Sequence, residues 1–146
     1  MKLAGVYRVG VGKDFNIQVK GCFMFGLWGD TLKTMYETIK FTMNINPLIA
    51  AFAITTPFPG TPLFSLINKY GKFLERIEDG LSSGFFGNKV FYKTDTTRKD
   101  DVLRCYKLAY RKFYLRADKI FELLTNIRSF EELKWFFNII LQAPLW

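Results

Sequence analysis

Two stretches bring together residue types that chemistry uses. The first is Gly21-Cys22-Phe23-Met24-Phe25-Gly26-Leu27-Trp28-Gly29-Asp30-Thr31, an apolar run with three glycines that ends in an acid and a hydroxyl. The second is Thr55-Thr56-Pro57-Phe58-Pro59-Gly60-Thr61-Pro62. Each reads as a strand that stops at a turn and hands over to a helix. In α/β proteins that handover is where ligands bind. Asp30 reads as an N-cap rather than as a catalytic acid. Thr55 to Thr61 reads as turn punctuation, through its prolines and Gly60, before it reads as a segment that faces Thr55 and Thr56 into a site. Tyr106, Tyr110, Tyr114 and Arg116 interleave aromatic and basic groups. Their helical spacing reads as core and solvated face before it reads as a pocket.

Other chemistries are excluded by what the 146 residues lack. There is no histidine, so the commonest general base and metal ligand are missing. The two cysteines, Cys22 and Cys105, are far apart. They read as thiols of a reducing compartment and do not make a zinc, haem or iron–sulfur site. Cys22 reads as a small core residue, and Cys105, next to Arg104, as the thiol with some call on reactivity. No Gly-x-Ser-x-Gly elbow and no Walker loop is present. No catalytic residue and no metal ligand is assigned. The formal charge of +8 falls largely on helices that also carry acids, which reads as a solvated surface and not as a nucleic-acid footprint. The most apolar run, Leu48 to Ile67, is broken by three prolines and a glycine, whereas a membrane span needs about 20 mostly apolar residues. No signal peptide is apparent. The expectation is a soluble, cytoplasmic protein without nucleic-acid or membrane partners.

Those strand ends need an α/β framework. Met1 to Gly5 reads as a helix end, Arg8 to Asp14 as a loop, and Phe15 to Phe25 as a strand. Its continuous apolar run, Cys22 to Phe25, fits a parallel strand covered on both faces. A helix follows, with Leu32, Met35, Tyr36, Ile39 and Met43 on one face and Asn44 to Pro47 at its end. Leu48 to Thr56 is a second buried strand. Thr61 caps the next helix, Pro62 occupies its first turn and Gly71 stops it, with Leu63, Leu66, Ile67 and Tyr70 as its face. Two strand–helix units in series predict parallel strands and a right-handed crossover. Residues 72–97 form a loop or lid in which Lys89 to Tyr92 make a short strand or closing segment. Thr97 and Asp100 form a capping box. A helical stripe then runs through Val102, Leu103, Tyr106, Ala109, Tyr110, Phe113, Ala117, Ile120, Phe121 and Leu124, with a bend at Leu115 to Asp118. Ser129 and Glu132 cap a last helix.

In this order the motifs resemble those of radical S-adenosylmethionine (SAM) enzymes. Val19 to Thr31 resembles their late strand, which ends in Gly-Leu-Pro-Gly-(Glu/Asp)-Thr. Asn46-Pro47 and Phe52 to Phe64 resemble the next strand and its Pro-aromatic-Pro-Gly-Thr turn. Lys112-Phe113-Tyr114-Leu115-Arg116 resembles the Phe-Tyr-Leu-Arg-Pro signature of the cobalamin-binding branch. Trp28 and Ala117 stand where that pattern has proline, and Tyr7 to Gln18 departs from it. The Cys-x-x-x-Cys-x-x-Cys cluster motif is absent.

The resemblance implies an α/β fold: the end of an incomplete (partial) β/α barrel with two strand–helix units (residues 1–71), a loop or lid (72–97) and a C-terminal α-helical region (98–146). It implies the C-terminal portion of a radical SAM enzyme, inactive alone, with SAM held in the intact enzyme beside Phe23, Phe25, Gly26, Thr55 and Thr56. The intact enzyme would use SAM, a [4Fe–4S] cluster and, in the branch named, cobalamin; none is expected to bind this chain alone stably. The implied partner is an N-terminal half or an N-terminal partner chain. The alternative is a non-catalytic assembly module that pairs through an open sheet edge or self-associates through exposed apolar surface.

Overall fold

In the computed structural model, which describes residues 19–74, 89–126, 131 and 134, strands and helices alternate as the punctuation predicts. The order is β1 (Lys20–Phe25), α1 (Leu32–Ile45), β2 (Ile49–Ile54), α2 (Pro62–Tyr70), β3 (Lys72–Phe73), β4 (Tyr92–Lys93), α3 (Lys99–Tyr114) and α4 (Ala117–Asn126). β1 and β2 are parallel, in register from Lys20 opposite Ile49 to Phe25 opposite Ile54, with α1 as the crossover. β3 and β4 form a short antiparallel pair. The protein is therefore α/β, with two small sheets among the described residues. The expected helix end at Met1 to Gly5, the strand start at Phe15, the glycine-rich part of the 72–97 loop and the helix capped by Ser129 lie outside the described residues.

β1 is not covered on both faces. Side chains alternate along a strand, and exposure follows that alternation: Lys20, Cys22 and Met24 face out, while Phe25 is buried. The buried face stacks Phe25 on Phe52 at 5.9 Å and sets Phe23 5.6 Å from Phe52. A continuous apolar run is compatible with either arrangement. Here no element among the described residues lies on the Cys22 side, and Cys22 is exposed rather than a core residue.

The N-cap of α1 is Thr31, not Asp30. Thr31 and Thr34 exchange reciprocal bonds: the Thr34 N–H donates to Thr31 Oγ1 (3.2 Å) and the Thr31 N–H to Thr34 Oγ1 (3.0 Å). Asp30 is occupied inside the turn, accepting from the Leu27 N–H and the Thr34 hydroxyl, both at 2.9 Å. α1 buries Met35, Ile39 and Thr42 and ends at Asn46, whose left-handed φ of 40° is one that asparagine tolerates. α2 starts on Thr61 and Pro62 and stops at Gly71 as expected, yet Ile67 is its one fully buried side chain and Leu66 and Tyr70 are exposed.

The capping box expected at Thr97 and Asp100 does not form. Arg98 is the N-cap of α3 and makes no side-chain cap bond. The Thr97 hydroxyl donates instead to the Asp30 carbonyl at 2.6 Å. α3 packs against α1 and β2 and buries Val102, Cys105, Tyr106, Ala109, Phe113 and Tyr114. The helix breaks at Leu115–Arg116, within the expected bend. In α4 the buried apolar residue is Leu123, while Phe121 and Leu124 of the expected stripe are exposed.

Candidate functional site: the ends of two parallel strands

The carboxyl ends of β1 and β2 lie side by side, and the turn after β1 is fastened from three directions. Gly26 and Gly29 have φ of +75° and +84°, conformations that disfavour a Cβ. At Gly26 a Cβ would also sit 3.3 Å from Val102 Cγ1. The Phe25 carbonyl accepts from the Thr55 N–H (2.9 Å) and the Thr55 hydroxyl (3.0 Å). The Tyr92 hydroxyl donates to the Gly26 carbonyl, and the Thr97 hydroxyl to that of Asp30. Burial pushes the Tyr92 phenol up to about 12, with a smaller contribution from the Asp30 carboxylate. Tyr92 is thus a hydroxyl donor at neutral pH and not a base.

The predicted site residues take up different positions around this turn. Gly26 and Thr55 are brought together, and both are buried. Thr56 is half-buried at the start of the next loop. Phe23 and Phe25 turn their rings toward the helices, so toward the open face they present backbone only. The side chains on the open face are Cys22 and Met24, opposite Ala51 and Ala53. Sequence reasoning missed these, although a strict two-residue alternation counted from Phe23 and Phe25 places them there. It missed Tyr92 and Thr97 as well, which no local pattern marks.

The aromatic–basic segment lies elsewhere. The Tyr114 hydroxyl accepts from the Ala50 N–H (3.1 Å) and donates to the Ala50 carbonyl (2.8 Å). Tyr110 does the same for Phe52, at 3.4 and 3.2 Å. Arg116 Nη2 donates to Asn46 Oδ1 (2.7 Å), and the buried Lys119 Nζ to the Pro47 carbonyl (2.8 Å) and Glu122 (2.6 Å). The Phe113-to-Arg116 motif therefore clamps the amino end of β2, opposite the Gly26 end. Cys105 is fully buried, and burial pushes its thiol up to about 11, which removes it as a reactive group. A groove of about 440 Å³ runs between α1 and α3, lined by Arg104, Lys107 and Arg111 together with Asp100 and the less polar Tyr36, Leu103 and Leu108. It contains none of the predicted site residues.

The described residues do not bring together ligands for an iron–sulfur cluster or a catalytic metal. The chain's two cysteines are divided between an exposed strand face and a helix core, and no three His, Cys, Asp or Glu side chains among the described residues converge. Toward the open face the strand ends offer backbone and the uncharged side chains of Cys22, Met24, Ala51 and Ala53. No helix among the described residues is long and apolar enough to cross a membrane.

Two relatives bear on this geometry. The chain is 29% identical over 128 residues to an anaerobic magnesium-protoporphyrin IX monomethyl ester cyclase of Rubrivivax gelatinosus, covering 72% of this chain and 23% of the cyclase. It is 39% identical over 49 residues to a bacteriochlorophyllide d C-12(1)-methyltransferase of Chlorobaculum tepidum, covering 34% of this chain and 11% of that enzyme. The matches support a distant relation to the radical SAM family. The chain thus spans less than a quarter of the length of either relative. No family model and no solved structure matches.

Proposed function

We propose that this chain forms one wall of the SAM site of a radical SAM enzyme. In this reading β1-α1-β2-α2 are the last units of a partial β/α barrel, and α3 and α4 belong to its C-terminal helical region. The reading is supported above all by the side-by-side strand ends, where Gly26 and Thr55 meet at the Phe25 carbonyl beside an open, apolar sheet face. The backbone of Phe23, Phe25 and Gly26, with Thr55 and Thr56, borders the ligand. Tyr92 and Thr97 hold the turn in shape. The chain contributes form and exclusion of water, and no proton-transfer group. Cluster ligands, and cobalamin if the branch marked by Phe113 to Arg116 is the right one, belong to segments other than these residues. The intact enzyme would carry out radical-based methyl transfer or rearrangement.

Titration of the isotope-labelled chain with SAM, followed by two-dimensional NMR, tests this. Shift changes are expected around Met24 to Asp30 and Ala53 to Thr61. No change at millimolar SAM, or changes centred on the α1/α3 groove, would overturn it. Anaerobic reconstitution with iron and sulfide should leave the chain without cluster absorbance.

A further inference from the structure

We propose that the groove between α1 and α3 is a binding site for an organic dianion, a small molecule with an apolar body and two acidic groups (carboxylate, sulfonate or phosphate ester). The groove shares no residue with the strand-end site, so the inference stands whether or not SAM binds there.

α3 supplies the charge. Arg104, Lys107 and Arg111 follow one another at three- and four-residue spacing, which sets them along one helix face, and Leu103 and Leu108 flank that row. Like charges at this spacing repel one another. None of the three side chains makes an ion pair or a hydrogen bond among the described residues, so nothing there offsets the repulsion. Lys107 is half-buried. A partly buried charge is screened less than one on open surface, and an anion beside it is held more firmly. Asp100 is the acid of the lining and stands at the amino end of the row, one turn before Arg104. From α1 the half-buried Tyr36 faces the groove, with the exposed Lys33 and Lys40 one turn to either side of it.

These features set the chemistry of the ligand. The volume of about 440 Å³ is that of a small-molecule site. The cations select against a neutral molecule. Tyr36, Leu103 and Leu108 offer an apolar contact that inorganic phosphate cannot use. From Arg104 to Arg111 the helix rises about 10 Å, which leaves room for two acidic groups. A longer polyanion laid along the same face would meet Asp100 at one end and the helix break at Leu115 at the other.

The test uses the disulfonate dye bis-ANS on the full chain, with N-phenylnaphthylamine as an uncharged counterpart. Fluorescence titration should show a single class of dye site, and NMR of the labelled chain should place the shift changes at Tyr36 and residues 103–111. Arg104→Gln and Arg111→Gln should each weaken the dye about tenfold, the loss of one charged hydrogen bond. Asp100→Asn should tighten it. Both arginines are exposed, and losing either relieves repulsion on α3, so these variants should keep or raise the wild-type unfolding midpoint. Equal affinity for the uncharged compound, or unchanged affinity in the arginine variants, overturns the inference. So do shift changes centred on the exposed Phe121 and Leu124 of α4. Tighter binding of polyglutamate with the same shift changes overturns it as well, in favour of an acidic protein partner.

Discussion

At Gly26 one absent methyl group decides whether the turn can exist. Its φ of +75° strains any L side chain, and its neighbour Val102 leaves 3.3 Å where a Cβ would go. Gly29 has a similar φ but nothing within 4 Å. Gly26→Ala should therefore cost more than Gly29→Ala, on the order of 2 kcal/mol against about 1, as read from urea unfolding midpoints. Equal costs would mean that the Val102 contact yields freely. Lys119 poses the opposite problem, a buried cation held by Glu122 and the Pro47 carbonyl. Lys119→Ala removes one partner and leaves a carboxylate and a carbonyl behind, with an expected loss of about 2 to 3 kcal/mol. Lys119→Met fills the space and should cost clearly less. The turn glycines were legible in the sequence because φ preference is a local property. Tyr92 and Thr97 were not, because their targets lie 66 and 67 residues away.

Between elements, the spacing of the α3 tyrosines matches the repeat of β2. Four residues of helix rise about 6.0 Å, and two residues of strand span about 6.6 Å. Tyr110 and Tyr114 can therefore meet Phe52 and Ala50 as a second ladder along the strand edge. Tyr114→Phe keeps the ring but leaves a buried N–H and C=O without partners, which should cost about 2 kcal/mol. Tyr110→Phe, with longer bonds at a half-buried position, should cost about 1. Thermal or urea unfolding checks both, and a neutral Tyr114→Phe would sink the edge-closing role. The strands and helices themselves were readable, because Asn46-Pro47, Thr61-Pro62 and Gly71 punctuate locally. Which faces are covered was not, because Cys22 to Phe25 carries the same apolar letters on both sides. The Thr97-to-Asp100 pattern misled for a related reason: a hydroxyl suited to capping was engaged by the Asp30 carbonyl.

Across the whole molecule, the absence of histidine and the buried hydroxyls set the pH response together. No side chain with an ordinary pKa near neutrality is present, so stability should be flat from about pH 6 to 9. Above that, four acids kept neutral by burial come into play. Cys105 is pushed up to about 11 and Tyr92 to about 12, and burial raises Tyr106 and Tyr114 further. In the unfolded chain these groups ionise near their usual values, so above pH 9 the folded state holds more protons than the unfolded state. Stability must then fall as pH rises. The decline should begin near pH 9 with Cys105, steepen above 10 as the tyrosines join, and continue until the folded groups titrate. Cys105→Ala should move the onset up by about one pH unit. Urea midpoints measured from pH 7 to 12 test this, and a flat profile above 9 would refute it. General charge repulsion does not explain the onset: the net charge of +8 shrinks toward zero as lysines and tyrosines begin to ionise between about pH 9 and 10, so repulsion relaxes where the decline is expected to start, and grows again, with negative sign, only at higher pH.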